Sequence, residues 1–147
     1  MGRKLIVSAV AVLFALIGFA GTFDVRSFGA KGNGVAKDTV AVQAAVDAAE
    51  AAGGGEVLLP ASTYLCGAIY LKDNVDFHLG PGTVLKGSSD REDYCSADFT
   101  PQNWASSREG DNTSGGHLLV AVGRRHVTLR GPGKVDGNSA AFLLDKN

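Results

Sequence analysis

The stretch Val127-Thr-Leu-Arg-Gly-Pro-Gly-Lys-Val-Asp-Gly137 repeats an earlier one, Val75-Asp-Phe-His-Leu-Gly-Pro-Gly-Thr-Val-Leu85. Each contains a short alternating strand, a Gly-Pro-Gly corner and a second short strand, and the corner glycines Gly80 and Gly131 lie 51 residues apart. A unit of strand and corner that recurs along a chain is typical of a solenoid, in which each unit packs on the next. The repeat therefore predicts stacked turns of β-structure.

Other short strands with frequent corners are predicted around this repeat. The predicted strands cover residues 22–28, 56–60, 63–65, 68–71, 75–79, 83–85, 117–122, 127–129 and 134–135. Several of them alternate apolar and polar side chains, which is the period of a strand with one buried face. Strands of this length suit a β-sandwich as well as a parallel β-helix. The repeated corner favours the parallel β-helix.

One amphipathic helix is predicted ahead of most of the strands. Its apolar stripe consists of Val42, Ala45, Val46 and Ala49, at helical spacing. Asp38 or Thr39 is expected to cap the N-terminus by accepting hydrogen bonds from free backbone N–H groups, and Gly53-Gly-Gly55 should end the helix. Because a solenoid needs a cap over its exposed end, we predict an all-β solenoid with an N-terminal capping α-helix and an incomplete C-terminal end.

The first twenty residues are predicted to be a targeting segment. Arg3 and Lys4 precede an almost unbroken apolar run over residues 5–19, and Gly18-Phe-Ala20 has the small-x-small pattern of a cleavage site. The run is shorter than the ~20 residues of a spanning helix, although an uncleaved membrane anchor is the alternative. We therefore expect a signal peptide over residues 1–20, a mature chain over 21–147 that is secreted or periplasmic, and no stable membrane span after cleavage.

The composition narrows the possible partners. The net charge of −1 gives no reason to expect binding to nucleic acid or to an anionic membrane. The two cysteines, Cys66 and Cys95, form either one disulfide in an oxidising compartment or two separately buried thiols. Two cysteines without a neighbouring histidine make a poor zinc site.

Longer stretches of the chain resemble the pectin-lyase-like right-handed β-helix proteins. The resemblance begins at Phe23-Asp-Val-Arg-Ser-Phe-Gly-Ala-Lys-Gly-Asn-Gly34 and continues through Lys37-Asp-Thr39 and the segment 53–65. Trp104 with Arg108-Glu-Gly110, together with the segments 74–79, 82–85, 117–119 and 131–137, is similar to the polygalacturonase branch, glycoside hydrolase family 28. The similarity covers roughly residues 22 to 140.

This resemblance implies inverting hydrolysis of α-1,4-galacturonan, the backbone of pectin. Such a reaction needs a carboxylic acid and a carboxylate about 6.5–9.5 Å apart, with room for water. The family places its catalytic site on later coils, in an Asn-Thr-Asp motif, an Asp-Asp pair, a Gly-His-Gly and an Arg-Ile-Lys, none of which occurs in this sequence. The resemblance therefore implies no catalytic residue in this chain, which looks like the cap and first turns of a longer enzyme and is expected to be inactive alone.

Several other residues bear on substrate or metal binding. Arg108 and Glu109 are candidate substrate contacts, since an arginine can pair with a uronate carboxylate, and Trp104 can stack on a sugar ring or anchor its own loop. The acidic cluster Asp90, Glu92, Asp93 and Asp98 lacks the spacing of a calcium loop and is interpreted as a solvated loop. His78 is expected to face solvent and His117 to have a structural role. We predict no metal and no cofactor.

Two other functions remain open at this stage. One is a secreted β-helix that binds or supports without chemistry, and the other is a polyuronate lyase on the same fold. Independently of the function, the last strands should leave apolar faces and backbone groups uncovered. We therefore expect self-association through the open C-terminal turn.

Overall fold

The chain folds as a right-handed parallel β-helix, as predicted. A computed structural model describes residues 21–94 and 117–143. Its strands form three parallel sheets, and each turn of the helix, called a rung here, passes through the sheets in the same order. The predicted signal peptide, Cys95, Asp98, Trp104, Arg108 and Glu109 lie outside the described residues.

Sheets A and B contain four strands each, and sheet C contains two. Sheet A consists of β1 (Gly21–Asp24), β3 (Gly55–Leu59), β6 (Val75–Leu79) and β9 (Thr128–Arg130). Sheet B consists of β2 (Asn33–Lys37), β4 (Thr63–Cys66), β7 (Val84–Gly87) and β10 (Lys134–Asp136). Sheet C consists of β5 (Ile69–Tyr70) and β8 (Leu119–Val120). The helices are α1 (Thr39–Ala51) and α2 (Ser139–Leu143).

The strands stack in register, so that equivalent residues of successive rungs form columns. In sheet A, Phe23 lies beside Val57, Val57 beside Phe77, and Phe77 beside Leu129. In sheet B, Tyr64 pairs with Leu85 and Leu85 with Val135. Val57, Phe77, Tyr64 and Leu85 are fully buried. The core is therefore a set of apolar columns along the axis, and the alternating residues of each strand face outward.

Helix α1 replaces the sheet C strand of the first rung. It follows β2 and packs its apolar stripe into the core, as the sequence predicts. Gln43 extends the backbone pairing of β5, because its Oε1 accepts from Tyr70 N at 2.8 Å and its Nε2 donates to Tyr70 O at 3.0 Å. The side-chain amide thus takes the place of a neighbouring strand.

The predicted end of α1 is confirmed and the predicted side-chain cap at its start is wrong. Gly53 adopts a φ of 88° and donates to Glu50 O, while Gly54 N donates to Ala49 O. This pair of bonds is a Schellman motif, which favours glycine at the left-handed position. At the start, the side chain of Asp38 caps nothing in the helix. Its two oxygens accept instead from Lys31 N at 2.6 Å and Gly32 N at 3.0 Å.

Two other local predictions need correction, and one short helix was not predicted. The strand predicted over residues 22–28 ends at Asp24, whose carboxylate caps a 3-10 turn over Val25–Phe28. The corner predicted over residues 29–34 runs into β2 at Asn33, and β2 was not predicted because its residues Asn-Gly-Val-Ala-Lys show little apolar alternation. Helix α2 was also not predicted. None of the described helices is long and apolar enough to cross a membrane.

Candidate functional site

The candidate site lies where sheet B ends and the long segment before sheet C begins. The ends of three successive sheet B strands meet there, at Cys66, Gly87 and Asp136. Asn138 joins the last two rungs, because its Nδ2 donates to Gly87 O at 3.0 Å. We call this place the B–C corner. The predicted substrate-binding residues belong to the segment between Tyr94 and β8, whose residues 95–116 lie outside the described residues.

The start of that segment is held down by backbone contacts at the B–C corner. A 3-10 turn at Arg91–Asp93 brings Asp93 O to Ala68 N, which donates to it at 3.0 Å. Gly67 sits directly beneath this carbonyl, and a Cβ there would overlap Asp93 O. Tyr94 Oη donates to Ser88 O at 2.8 Å. The chain direction at Tyr94 is therefore fixed by the end of β4.

Two acidic residues of the corner share one lysine. Lys37 Nζ lies 2.8 Å from Asp90 Oδ2 and 2.8 Å from Asp93 Oδ1. Hydrogen bonds to Asp90 and Asp93 raise the pKa of Lys37 from 10.5 to about 12, and the bond from Lys37 lowers the pKa of Asp90. Ser88 Oγ also donates to Asp93. These carboxylates anchor the segment, and the interpretation of the cluster as a solvated loop is therefore too simple.

Cys66 lies at the same corner, in the core. It is fully buried and carries a free thiol in the structure. Burial, followed by the charge of Asp38, raises the pKa of this thiol from 9.0 to about 12. A disulfide with Cys95 stays a prediction, because Cys95 lies outside the described residues.

A second polar cluster, on the outer face of sheet A, joins all four rungs and was not predicted. Thr22 Oγ1 donates to Glu56 Oε2 at 2.8 Å, and the other oxygen of Glu56 lies 2.6 Å from His78 Nδ1 and 2.7 Å from Arg130. Arg130 Nε contacts both oxygens of Asp76, at 2.9 and 2.7 Å. The outward phase of His78 is as expected, but its side chain is only 20% exposed. The hydrogen bond from His78 is the largest cause of the lowered pKa of Glu56.

The sequence indicates which residues of this cluster face outward, but not which of them meet. Glu56, Asp76 and His78 stand at outward positions of predicted strands, and Arg130 follows one. Which of them meet depends on the register, which pairs Glu56 with Asp76 and His78 with Arg130. The offset between rungs is not readable from the alternation alone.

Neither a metal centre nor a carboxyl group with a raised pKa is found among the described residues. Among residues 21–94 and 117–143, no three His, Cys, Asp or Glu side chains are grouped so as to hold a metal ion. The pKa values of the carboxyl groups of Glu56, Asp90 and Asp136 are all lowered. A general acid of a glycosidase needs a raised pKa. His117 is half-buried before β8.

A family model described as "Rhamnogalacturonase A/epimerase, pectate lyase-like" matches residues 22–117. Two mannuronan C5-epimerases of Azotobacter vinelandii are similar to the chain. AlgE3 is 48% identical over 75 residues, which are 44% of this chain and 4% of AlgE3. AlgE4 is 36% identical over 124 residues, which are 78% of this chain and 21% of AlgE4.

Polygalacturonases are similar over the same length of chain. An exo-poly-alpha-D-galacturonosidase of Dickeya chrysanthemi is 28% identical over 123 residues, or 78% of this chain and 19% of its own. The structure of a family 28 exopolygalacturonase from Yersinia enterocolitica superposes with a TM-score of 0.64 and 30% identity, over 80% of this chain and 21% of its own. The chain thus spans about a fifth or less of the length of these relatives.

Proposed function

Since the chain belongs to the rhamnogalacturonase A/epimerase, pectate lyase-like family, we propose that it forms the cap and first rungs of a secreted polygalacturonase-type enzyme. The parent enzyme would hydrolyse α-1,4-galacturonan with inversion, and its acid and base would come from residues outside this chain. The observation that carries the proposal is the likeness to the Yersinia enterocolitica exopolygalacturonase, which extends over 80% of the chain at 30% identity.

The ion pairs of the described carboxylates support the proposal that the catalytic acid and base come from residues outside this chain. Glu56 and Asp76 are bound by Arg130, and Asp90 and Asp93 by Lys37. A carboxylate held by a cation prefers its charged form, whereas the acid that protonates a glycosidic oxygen has to keep its proton near neutral pH. All four groups fasten rungs together through these ion pairs. The pKa values of Glu56 and Asp90 are lowered, so these two are poorly suited to acid catalysis.

The contribution of this chain to substrate binding would come from the segment anchored at the B–C corner. Arg108 and Glu109 would contact uronate and hydroxyl groups, and Trp104 would stack on a sugar ring. The anchor made by Lys37 and Asp93 supports this role, because it fixes the end of the segment relative to sheet B. A binding segment on a rigid support loses less entropy on binding than a free one.

A second candidate is an enzyme that acts on mannuronan. The mannuronan C5-epimerases reach higher identity than the polygalacturonases, 48% for AlgE3 over 75 residues. An alginate lyase of Azotobacter vinelandii is also 45% identical over 75 residues. All these candidates share an anionic uronic-acid polysaccharide as substrate, and they differ in the bond that changes.

One set of assays separates the candidates on the purified 147-residue chain. Polygalacturonate and mannuronan are each incubated with the protein, and three products are measured: new reducing ends without unsaturation for hydrolysis, new reducing ends together with unsaturated ends absorbing in the ultraviolet for a lyase, and altered C5 configuration by NMR for an epimerase. We expect none of the three, because the chemistry is assigned elsewhere. Any of these products would refute that assignment.

Affinity electrophoresis in gels containing either polysaccharide tests the binding role. We expect polygalacturonate to retard the chain and Arg108→Ala to reduce the retardation several-fold. Arg91→Ala, which removes an exposed arginine of the anchored turn, is the control and should leave it unchanged. Stronger retardation by mannuronan would favour the second candidate, and no retardation by either polysaccharide would contradict a binding role for these rungs.

A further inference from the structure

The turns that lead from sheet C back to sheet A stack on one another and hold an arginine in a fixed place. They comprise residues 71–74 after β5 and residues 121–127 after β8, and we call this place the C–A corner. Arg125 N donates to Asp73 Oδ1 at 3.0 Å, and Arg125 O accepts from Asn74 N at 3.0 Å. Both backbone groups of Arg125 are thus bonded to the rung below.

The other cations of the C–A corner are already paired with carboxylates of the chain. Lys72 and Arg124 share Glu50, at 3.6 and 3.2 Å, and Arg124 also lies 4.0 Å from Asp73. Within residues 21–94 and 117–143, the guanidinium of Arg125 makes no salt bridge and no hydrogen bond. Its donors are therefore available to an anion from outside these residues.

A further rung stacked on this one would leave the guanidinium open to solvent. The register of β6 with β9 places Arg125 directly on Asp73. The side chain of Asp73 is 42% exposed although Arg125 covers its backbone. Side chains at this position therefore point out from the stack, and the exposure of Arg125 does not depend on being in the last turn of sheet C.

Sheet C forms a short floor between the C–A corner and the B–C corner. Ala68, which bonds to the anchored 3-10 turn, and Lys72 stand four residues apart, or about 13 Å at ~3.3 Å per residue. Ile69 and Leu71 are buried, so the alternation of the strand directs Tyr70 between them to the outer face. An aromatic ring beside a fixed cation suits a sugar that carries a carboxylate.

We propose that the guanidinium of Arg125 binds the carboxylate of a uronic acid residue held on the outer face of sheet C, and that binding therefore depends on free carboxylates. The inference rests on the proposed function, which gives these rungs an acidic polysaccharide as ligand. The planar fork of an arginine matches a carboxylate with two parallel hydrogen bonds. A methyl ester carries no charge and loses this pairing.

Affinity electrophoresis of the 147-residue chain at low salt, in gels containing polygalacturonate, tests the contact. We expect Arg125→Ala to weaken binding about fivefold, the size of an exposed ion pair. Lys31→Ala removes one positive charge from an exposed residue between β1 and β2, and this control should bind like the unchanged chain. Urea denaturation should give one midpoint for all three chains, because the side chain of Arg125 bonds to no described residue.

Methyl-esterified pectin separates recognition of the carboxylate from general affinity for sugar. In gels containing fully esterified pectin, we expect the unchanged chain and Arg125→Ala to be retarded alike, because the charged partner of the arginine is missing. An equal loss on the free and the esterified polysaccharide would overturn the proposal. An equal loss in Arg125→Ala and Lys31→Ala would do so too, since net charge alone then explains the binding.

The variant Arg108→Ala distinguishes failure of this inference from failure of the proposed function. Full binding by Arg125→Ala with weaker binding by Arg108→Ala would overturn the inference and leave the proposed function in place. Weaker binding by Arg125→Ala alone would support the inference and refute the binding role of Arg108. If neither polygalacturonate nor mannuronan retards the unchanged chain, both are contradicted.

Discussion

Gly67 shows how one residue determines where the long segment begins. A Cβ atom built on Gly67 would overlap Asp93 O. This carbonyl oxygen also accepts a hydrogen bond from Ala68 N. A backbone carbonyl cannot move aside as a flexible side chain can. A side chain at this position would therefore strain the contacts that hold the 3-10 turn against the end of β4.

Gly67→Ala is therefore expected to destabilise the chain by about 2 kcal/mol, within the range for overpacking. Urea denaturation followed by circular dichroism measures the change. Gly137→Ala is the control, because the site has open space around it, and it should change the free energy of unfolding by less than about 0.5 kcal/mol. Equal effects at the two sites would show that Asp93 O is not where the structure has it.

Lys37 makes a second testable contact in the anchor. Its bond lowers the pKa of Asp90 below the ordinary value of 3.8, so Lys37→Met should raise that pKa back toward 3.8. Carboxyl ¹³C NMR titration reports the value directly. Lys86→Met removes a neighbouring sheet B lysine that does not contact Asp90, and an equal rise in that variant would contradict the assignment.

Single residues also mark the limit of what the sequence predicts. The glycines after α1 predict its end, because few other residues adopt the left-handed conformation there. The role of Asp38 is not predictable in the same way. Aspartate is a common helix cap, but in the structure the carboxylate of Asp38 accepts from Lys31 N and Gly32 N instead. These two N–H groups lie near Asp38 only in the folded loop, so the sequence alone does not predict the contact.

At the scale of elements, helix α1 can cap the β-helix because the side-chain amide of Gln43 makes the hydrogen bonds that a neighbouring strand would otherwise make. The amides and carbonyls of β5 that face the rung below have no strand beside them, and Gln43 satisfies the pair at Tyr70. A methionine fills similar space without a donor or an acceptor, so it leaves those groups unpaired beneath the helix.

Gln43→Met is expected to speed amide hydrogen exchange at Tyr70 by about tenfold or more, since an unpaired buried group costs roughly 1–3 kcal/mol. Exchange measured by NMR at Ile69, whose N–H is bonded to Leu118 O on the other side of the strand, is the internal control. If both amides accelerate alike, Gln43 supports the whole element and is not a local substitute for a strand.

The sheet A cluster gives the stability of the β-helix a defined pH dependence. The pKa of Glu56 is lowered from its ordinary 4.5, with the bond from His78 as the largest cause. A lowered carboxyl pKa contributes stability that is present above pH 4.5 and is lost as the pH falls through the folded-state value. Acid should therefore loosen the contacts that fasten β9 to β3 and β6.

Glu56→Gln should lower stability at neutral pH and flatten the fall in urea midpoint between pH 5 and pH 3, because the variant no longer titrates at this position. Glu92→Gln, which changes an exposed glutamate of the 3-10 turn, should retain the original slope. A Glu56→Gln variant with the full acid slope would mean that other carboxylates govern the transition.

The elements themselves were largely predictable where alternation is strong. β6 and β4 show it clearly, with Val75, Phe77 and Leu79 inward, and their predicted positions agree with the structure to within a residue. β2 was missed because Asn33-Gly-Val-Ala-Lys37 has little apolar alternation, and it is a strand only because β4 lies beside it. Tertiary pairing overrides weak local propensity in such cases.

The whole molecule is a stack of rungs, and the two repeated stretches indicated this correctly. The Gly-Pro-Gly corners turn the chain from sheet A to sheet B in successive rungs, where Gly80 N donates to Leu59 O and Gly133 N to Leu79 O. What the repeat did not reveal is the register, because the long segment between β7 and β8 separates the two copies. The side-chain clusters of the outer face depend on that register.

The claim on which the rest depends is that successive strands of each sheet lie parallel and in register. NMR cross-strand contacts in sheet A test it most directly. We expect contacts linking the side chains of Val57, Phe77 and Leu129 as one column, with the backbone pattern of parallel strands. Close Hα–Hα contacts between β6 and β9, which occur only in antiparallel pairs, would contradict the stacked rungs and every proposal built on them.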